Sequence, residues 1–354
     1  MKRKNKTYYD IKPLLKNEAN YYILLGMRAN GKSYQVKETV LTDAYKNGNL
    51  FVYLRRFKDD IKQYYVESYF ADMDIEAITE GKFSLVVAWQ GFIYFASIDD
   101  KGQIIKGQRI GRYCALNEAY RYKSNAFVNY KWIVYEEFIT NEVYLSEEPD
   151  KLQQFISTVA RDNPIKVLLI GNTISRVCPY FGEWSLVGTL KQKPNTIELY
   201  HMKDDKGNET ARIAVENCAT VENDSKMFFG KSTKQILDGE WDVKISPRLP
   251  KKLEEYEEIY SLQVHYQMFD FNIKLLIDDE GAIYTYIYPA KELKKNGRIL
   301  STDFSTNQLQ TTNINKRSKM ELKILECFAA GKVCYSDNLT AADFEQVTQQ
   351  FKFL

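Results

Sequence analysis

Histidine is nearly absent: the 354-residue chain has only His201 and His265. Its five cysteines (Cys114, Cys178, Cys218, Cys327 and Cys334) are odd in number and widely scattered. No pair has zinc-ligand spacing, so a zinc site is excluded, and so is a disulfide framework. Reduced, packed thiols are expected. No apolar run reaches the ~18 residues that a membrane span needs. The N-terminal MKRKNKTYYD is basic but has no apolar core behind it, so it does not read as a signal peptide. Net charge is only +2, so nucleic-acid binding has to come from a local patch. Nothing resembles a helix-turn-helix or a zinc finger, which excludes sequence-specific DNA readout by those modules. Aromatic residues, at 14%, are plentiful and are assigned chiefly to core packing.

The length suggests about two domains at roughly 150 residues each. Short apolar runs recur at Tyr21–Leu25, Leu50–Leu54, Phe83–Trp89, Trp132–Tyr135 and Lys166–Ile170, separated by polar, helix-compatible segments. Such runs fit strands buried on both faces of a parallel sheet flanked by helices. From about residue 202 the chain turns polar and turn-rich, up to Pro247 and Pro250. The expected division is a P-loop domain over 1–218, a linker over 219–246 and a C-terminal α+β domain over 247–354. In the last, Gln263–Phe269, Ile273–Ile277 and Ala282–Tyr288 read as a strand meander with DDEG as a hairpin turn. A helix over Lys319–Ala330, a stop at Gly331, a strand over Lys332–Tyr335 and a helix over Thr340–Phe351 close the chain.

GMRANGKS, Gly26 to Ser33, fits G-x-x-x-x-G-K-[ST] at every fixed position. It follows an apolar strand and opens a helix, the context the motif requires. Glycines let backbone N–H groups turn toward phosphates at a helix N-terminus. Gly26, Arg28, Asn30, Gly31, Lys32, Ser33 and Tyr34 are the expected nucleotide-binding residues. Lys32 is to reach the β- and γ-phosphates of ATP, and Ser33 to ligate Mg²⁺. In KWIVYEEF, Glu136 and Glu137 end a strand where α/β sheets place ligands. Glu136 is the candidate Mg²⁺-holding acid and Glu137 the acid that orients and activates water. The cradle and this acid are expected side by side, on neighbouring strands. KVLLIGNTIS ends a further strand in Asn172 and Thr173, and Asn172 either senses the γ-phosphate or simply turns a loop.

A helix over Glu147–Asp162 buries Leu152, Phe155, Ile156 and Val159, a helical stripe. Helical phase turns Arg161 outward, either as a finger into a neighbouring subunit's ATP site or as a cation complementing the helix C-terminus. The stretch from Lys101 to Lys131 is basic, with glycines at 102, 107 and 111 that suggest a hairpin projecting from the sheet. Lys101, Lys106, Arg109 and Arg112, with Lys123 beyond them, are its candidates for DNA phosphates.

Taken with YLRRFK, KSNA (Lys123–Ala126), TVAR (Thr158–Arg161) and GNTISRVCPYF, these motifs resemble the encapsidation ATPases of small short-tailed, φ29-like bacteriophages, relatives of large terminase ATPases. The resemblance implies a P-loop NTPase of the ASCE (RecA-like) kind that packages double-stranded DNA. It implies a pentameric ring docked transiently, in the host cytoplasm, on the portal vertex of a prohead, with a packaging RNA in close relatives. By position it makes Glu137 catalytic, Arg161 the arginine supplied in trans and Lys123 a second residue acting across the interface. Arg28, Arg55 and Arg56 recur in the family without an assigned role. Where the family has Asp, this chain has Glu136. The resemblance further implies a C-terminal RNase H-like domain without nuclease activity, although Asp270, Asp278, Asp279, Asp303 and Asp337 are candidate acids for an active one. A large terminase with a working endonuclease and a P-loop nucleotide-gated binding module are the competing readings.

Overall fold

The computed structural model describes residues 9–27, 30–161, 163–218, 245–294, 297–301 and 317–351. The 219–246 linker expectation therefore lies almost wholly outside the described residues, as do Arg28 and Asp303. Two compact units emerge, the first built from Met1–Thr140, Leu145–Thr173 and Gly188–Glu240. The second combines Trp241–Leu354 with Asn141–Tyr144 and Ile174–Val187, so two short segments from the first half of the sequence belong to it.

In the first unit the described helices are α1 (Lys12–Leu15), α2 (Lys32–Asn47), α3 (Gln63–Phe70), α4 (Ile75–Ile78) and α5 (Glu148–Ala160). Its strands are β1 (Tyr21–Leu25), β2 (Leu50–Arg55), β3 (Leu85–Trp89), β4 (Phe92–Ile98), β5 (Ile104–Ala115), β6 (Tyr130–Glu136), β7 (Lys166–Ile170), β8 (Thr196–Lys203) and β9 (Glu209–Asn217). They form one sheet in the order β3-β4-β5-β2-β6-β7-β1-β9-β8. The run from β5 to β9 is parallel throughout, and β3, β4 and β8 join it antiparallel to their neighbours. β1 is buried at every position and β2 at all but its last, as central parallel strands with covered faces must be. α2 lays Val36, Val40, Leu41 and Ala44 on the sheet and stops at Gly48, whose φ of 70° gives the left-handed cap.

Two expectations change. Phe83–Trp89 does not join the parallel set, because Trp89 and Phe92 pair across a two-residue turn in which Gln90 (φ 49°) and Gly91 (φ 87°) are both left-handed. That turn makes a tight hairpin, so the strand returns antiparallel. β8 was not read as a strand, and β9 was hidden in a stretch read as polar, where it carries its apolar run, Ile213–Val215, beside β1. The basic hairpin does form, as β4 and β5 within the sheet edge. Only Gly102 sits in its turn, whereas a Cβ at Gly111 would lie 2.4 Å from the Phe51 carbonyl oxygen, so that glycine serves close strand approach.

The second unit holds α6 (Pro179–Glu183) and a five-stranded sheet, β13-β10-β11-β12-β14. Here β10 (Glu257–Tyr266), β11 (Phe269–Ile277) and β12 (Ile283–Pro289) are the antiparallel meander, with β13 (Ile299–Ser301) and β14 (Val333–Tyr335) parallel at its edges. The expected strand Gln263–Phe269 is broken at Gln267, whose φ of 53° turns β10 back into β11. α7 (Lys319–Ala329) and α8 (Asn338–Phe351) follow, and Gly331 (φ 67°) ends α7 as read.

Candidate nucleotide site

The parallel register brings the ends of four strands to one edge. Leu24 stands opposite Ile170, Ile170 opposite Glu136, and Leu54 opposite Tyr135. β7 thus lies between the phosphate-loop strand β1 and the acidic strand β6. The cradle and the acids are not on neighbouring strands, and β7 fills the gap with Asn172.

Gly26 (φ 144°) and Gly31 (φ 99°) turn the loop between β1 and α2. Lys32 is buried, and its Nζ donates to the Met27 carbonyl at 2.6 Å, Asn30 Oδ1 at 3.2 Å and Asn172 Oδ1 at 3.5 Å. All three are neutral oxygens. Burial pulls the Lys32 pKa down to about 8, while nearby Cys218 and Glu136 resist the fall. Among the described residues no carboxylate pairs with this desolvated ammonium, a state that suits an anionic ligand. Asn30 Nδ2, buried and without a hydrogen-bond partner among the described residues, adds a donor. Tyr34 is exposed on the first turn of α2.

Glu136 is buried at the end of β6 and Glu137 is exposed beyond it. Burial raises the Glu136 pKa, opposed by the Tyr69 hydroxyl, Ser33 and Arg55. Tyr69, on α3, donates to Glu136 Oε1 at 2.6 Å. Glu137 adopts a left-handed φ of 56°, and its carboxylate meets Arg55 Nη2, at the end of β2, at 2.6 Å. Beneath them Arg56 is buried: it donates to the Glu137 and Phe138 carbonyls at 3.2 and 2.7 Å and grips Glu148, at the start of α5, at 2.7 and 3.1 Å. Tyr135 donates to Glu148 Oε1 at 2.7 Å. A separate cavity of about 970 Å³ opens where these strands begin, beside Asp43, Trp132 and Lys166, away from the acids.

A family model described as the podovirus DNA encapsidation protein (Gp16) matches residues 3–349. The chain belongs to that family. A DNA packaging protein of Bacillus phage phi29 is 28% identical over 195 residues, 54% of either chain. The chain thus spans about half the length of such curated relatives. Among solved structures, the bacteriophage Phi-29 viral genome packaging motor assembly is similar at TM-score 0.59 and 20% identity, over 97% of this chain and 99% of the other. The Phi-28 gp11 DNA packaging motor is similar at TM-score 0.53 and 17% identity, over 98% of both chains. At such identities these two matches speak for the fold: a mixed α/β, parallel-rich architecture.

Within this Gp16-family chain, the other expected residues are distributed as follows. α5 buries Leu152, Phe155, Ile156 and Val159 as read, but it ends at Ala160. Arg161 caps it with φ 42° and ψ −108°, so helical phase does not set its direction. Its Nη2 donates to the Asn125 carbonyl at 2.9 Å and the Lys123 carbonyl at 3.5 Å, joining Arg161 to the KSNA segment. Lys123 is exposed. On the hairpin, Lys101 is exposed in the turn, Lys106 lies 3.2 Å from the Trp89 ring centroid and Arg109 5.3 Å from that of Phe92. Arg112 is half-buried among Phe92, Tyr122 and Phe127, and Asn125, with its amide oxygen turned toward the guanidinium, accepts from it at 2.9 and 3.0 Å. Of the four hairpin cations, Lys101, Lys106 and Arg109 are therefore the exposed ones. Tyr69, Lys37 and Glu148 were missed. A tyrosine or glutamate on a helix carries no motif, and only folding brings it to the strand ends.

Proposed function

We propose that this chain is the ATPase of a motor that drives double-stranded viral DNA into a procapsid. The observation that carries the reading is the gathering of Lys32, Ser33, Glu136, Glu137 and Asn172 at one sheet edge in a Gp16-family chain. ATP is the substrate. Lys32, held only by neutral oxygens, fits its phosphates, and the N-terminus of α2 offers backbone donors. Ser33 and Glu136 hold Mg²⁺, which neutralises charge developing on the phosphates. Asn172, already on Lys32, senses the γ-phosphate. Glu137 activates water after it leaves Arg55, and Arg161 with Lys123 completes a neighbouring subunit's site.

The phi29 relative is a DNA packaging protein, and the similar solved structures are packaging motors. To the same reading belongs what the family resemblance implies: a pentameric ring, docked transiently on the portal vertex in the host cytoplasm, with a packaging RNA between motor and portal. Among the described residues no helix is long and apolar enough to cross a membrane. Lys101, Lys106 and Arg109 meet DNA phosphates. The division into an ASCE-type ATPase domain (1–218), a linker (219–246) and an RNase H-like domain (247–354) belongs to the same reading.

The C-terminal domain is read as inert because each described candidate acid has a local task. Asp270 pairs with His265 at 2.6 Å, and Asp278 accepts from the turn amides of Glu280 and Ala282. Asp279 pairs with Lys251, and Asp337 accepts from the Thr340 amide at 2.7 Å in the first turn of α8. A working terminase nuclease instead converts supercoiled plasmid with Mn²⁺ to nicked or linear forms.

Phosphate release from ATP with Mg²⁺ and DNA tests the main reading. The parent chain turns over, Glu137→Gln does not, and Arg161→Ala falls by about 10³-fold or more. Mixing the two variants poisons sites in trans. No turnover by the parent chain assembled on a prohead would leave only a nucleotide-gated binding module, and full turnover by assembled Arg161→Ala removes the finger.

A further inference from the structure

Contacts from two helices close a loop around Glu136. Tyr69 donates its hydroxyl to Glu136 Oε1 at 2.6 Å, and Ser33 interacts with the same carboxyl. Four residues after Ser33, on the same face of α2, comes the buried Lys37. Its Nζ donates to the Tyr69 carbonyl at 2.8 Å, pairs with Asp72 and lies 4.8 Å from the centroid of the Tyr69 ring. Tyr53 stacks on that ring with centroids 4.5 Å apart and planes inclined by 23°, and Phe70 meets it edge-on at 4.9 Å.

We infer that Tyr69 is a positioning residue of the Mg²⁺ site: it holds the Glu136 carboxylate beside Ser33, and Lys37 ties that placement to the phosphate-binding helix. The inference rests on the nucleotide reading above. A Glu side chain has three rotatable bonds, and alone it samples several rotamers of similar energy. One hydrogen bond from a ring fixed by stacking selects among them, and hydrogen bonds to a charged acceptor are the stronger kind. The loop Ser33–Glu136–Tyr69–Lys37 also makes the acid follow α2. Through those contacts the placement of the carboxylate is tied to the helix that carries both Ser33 and Lys37.

Tyr69→Phe tests this in the full-length chain, because it keeps the stacked ring and removes only the hydroxyl. Binding of a fluorescent ADP analogue is followed in EDTA and across a Mg²⁺ titration, alongside thermal melting. In EDTA the variant binds within about twofold of the parent, and its melting falls by only the few degrees that loss of one hydrogen bond to a buried carboxylate costs. Its Mg²⁺ midpoint rises about tenfold, equivalent to about 1.4 kcal/mol. Glu136→Asp shortens the acid out of reach of the phenol, so adding Tyr69→Phe to it moves the midpoint no further. An unchanged midpoint in Tyr69→Phe overturns the inference, as does an equal loss of affinity with and without Mg²⁺, which marks a merely structural tyrosine. If the parent chain binds no ADP analogue in either condition, the nucleotide reading itself falls and takes the inference with it.

Discussion

Arg56 and Glu148 form an ion pair with side-chain exposures of only 7% and 0%. Replacing Arg56 by Met takes that cation from the Glu148 carboxylate, to which Tyr135 and the Leu145 amide still donate. Breaking a buried pair in this way costs about 3–5 kcal/mol, because the remaining charge stays desolvated and has lost the attraction of its bidentate partner. At 2–4 °C per kcal/mol for a unit of roughly 200 residues, the melting temperature drops by roughly 6–20 °C. Glu148→Leu is expected to cost a similar amount. The double variant, an apolar pair of comparable volume, recovers most of the loss. Activity is expected to behave otherwise. Arg56 also holds the Glu137 and Phe138 carbonyls, and thereby the left-handed turn that aims Glu137. The double variant therefore regains stability while ATP turnover stays low. Thermal and urea denaturation of the four proteins, with phosphate-release assays, complete the cycle. Single variants that each lose less than about 1 kcal/mol, or a double variant whose loss equals the sum, would refute the reasoning.

Arg55→Ala is expected to cost little stability, about 0–1 kcal/mol, since its partner Glu137 is largely exposed. It frees the carboxylate, however, and raises DNA-independent ATP turnover measured by phosphate release. Asp343, in α8, pairs with Arg176 at 3.0 Å, yet burial pushes its pKa up from 3.8 to about 6. Between those values the folded chain keeps a proton that the unfolded chain has released, so this group's contribution to stability falls as pH rises through that window. Asp343→Asn flattens the decline by up to about 1.4 kcal/mol per pH unit, as urea titrations at pH 4 to 6 would register. Replacing Lys101, Lys106 and Arg109 together by Ala lowers the salt dependence of DNA binding, log K against log salt, by about 0.9 for each phosphate that is no longer neutralised. An unchanged slope in a fluorescence titration removes the hairpin from the DNA path.

Local chemistry made much of this molecule legible. GMRANGKS needs only its own glycines and the flanking strand and helix, so the motif and its context were readable together. The stripe Leu152–Phe155–Ile156–Val159 placed α5, and Gly331 stopped α7, because helix periodicity and caps are properties of neighbours in sequence. Three things were not readable. The strand order that puts β7 between β1 and β6 depends on which hydrogen-bonding edges meet, and apolar runs of one kind do not encode that. The direction of Arg161 depends on a left-handed residue at a helix end, outside the phase of the helix it follows. The partners of the two acids, Tyr69 for Glu136 and Arg55 for Glu137, come from sequence separations of 67 and 82 residues. Which residues carry the chemistry could be named from the order of amino acids, since phosphate, metal and water each demand particular atoms. How those residues are aimed was left to the folded chain, because aim is set by contacts between side chains far apart in sequence.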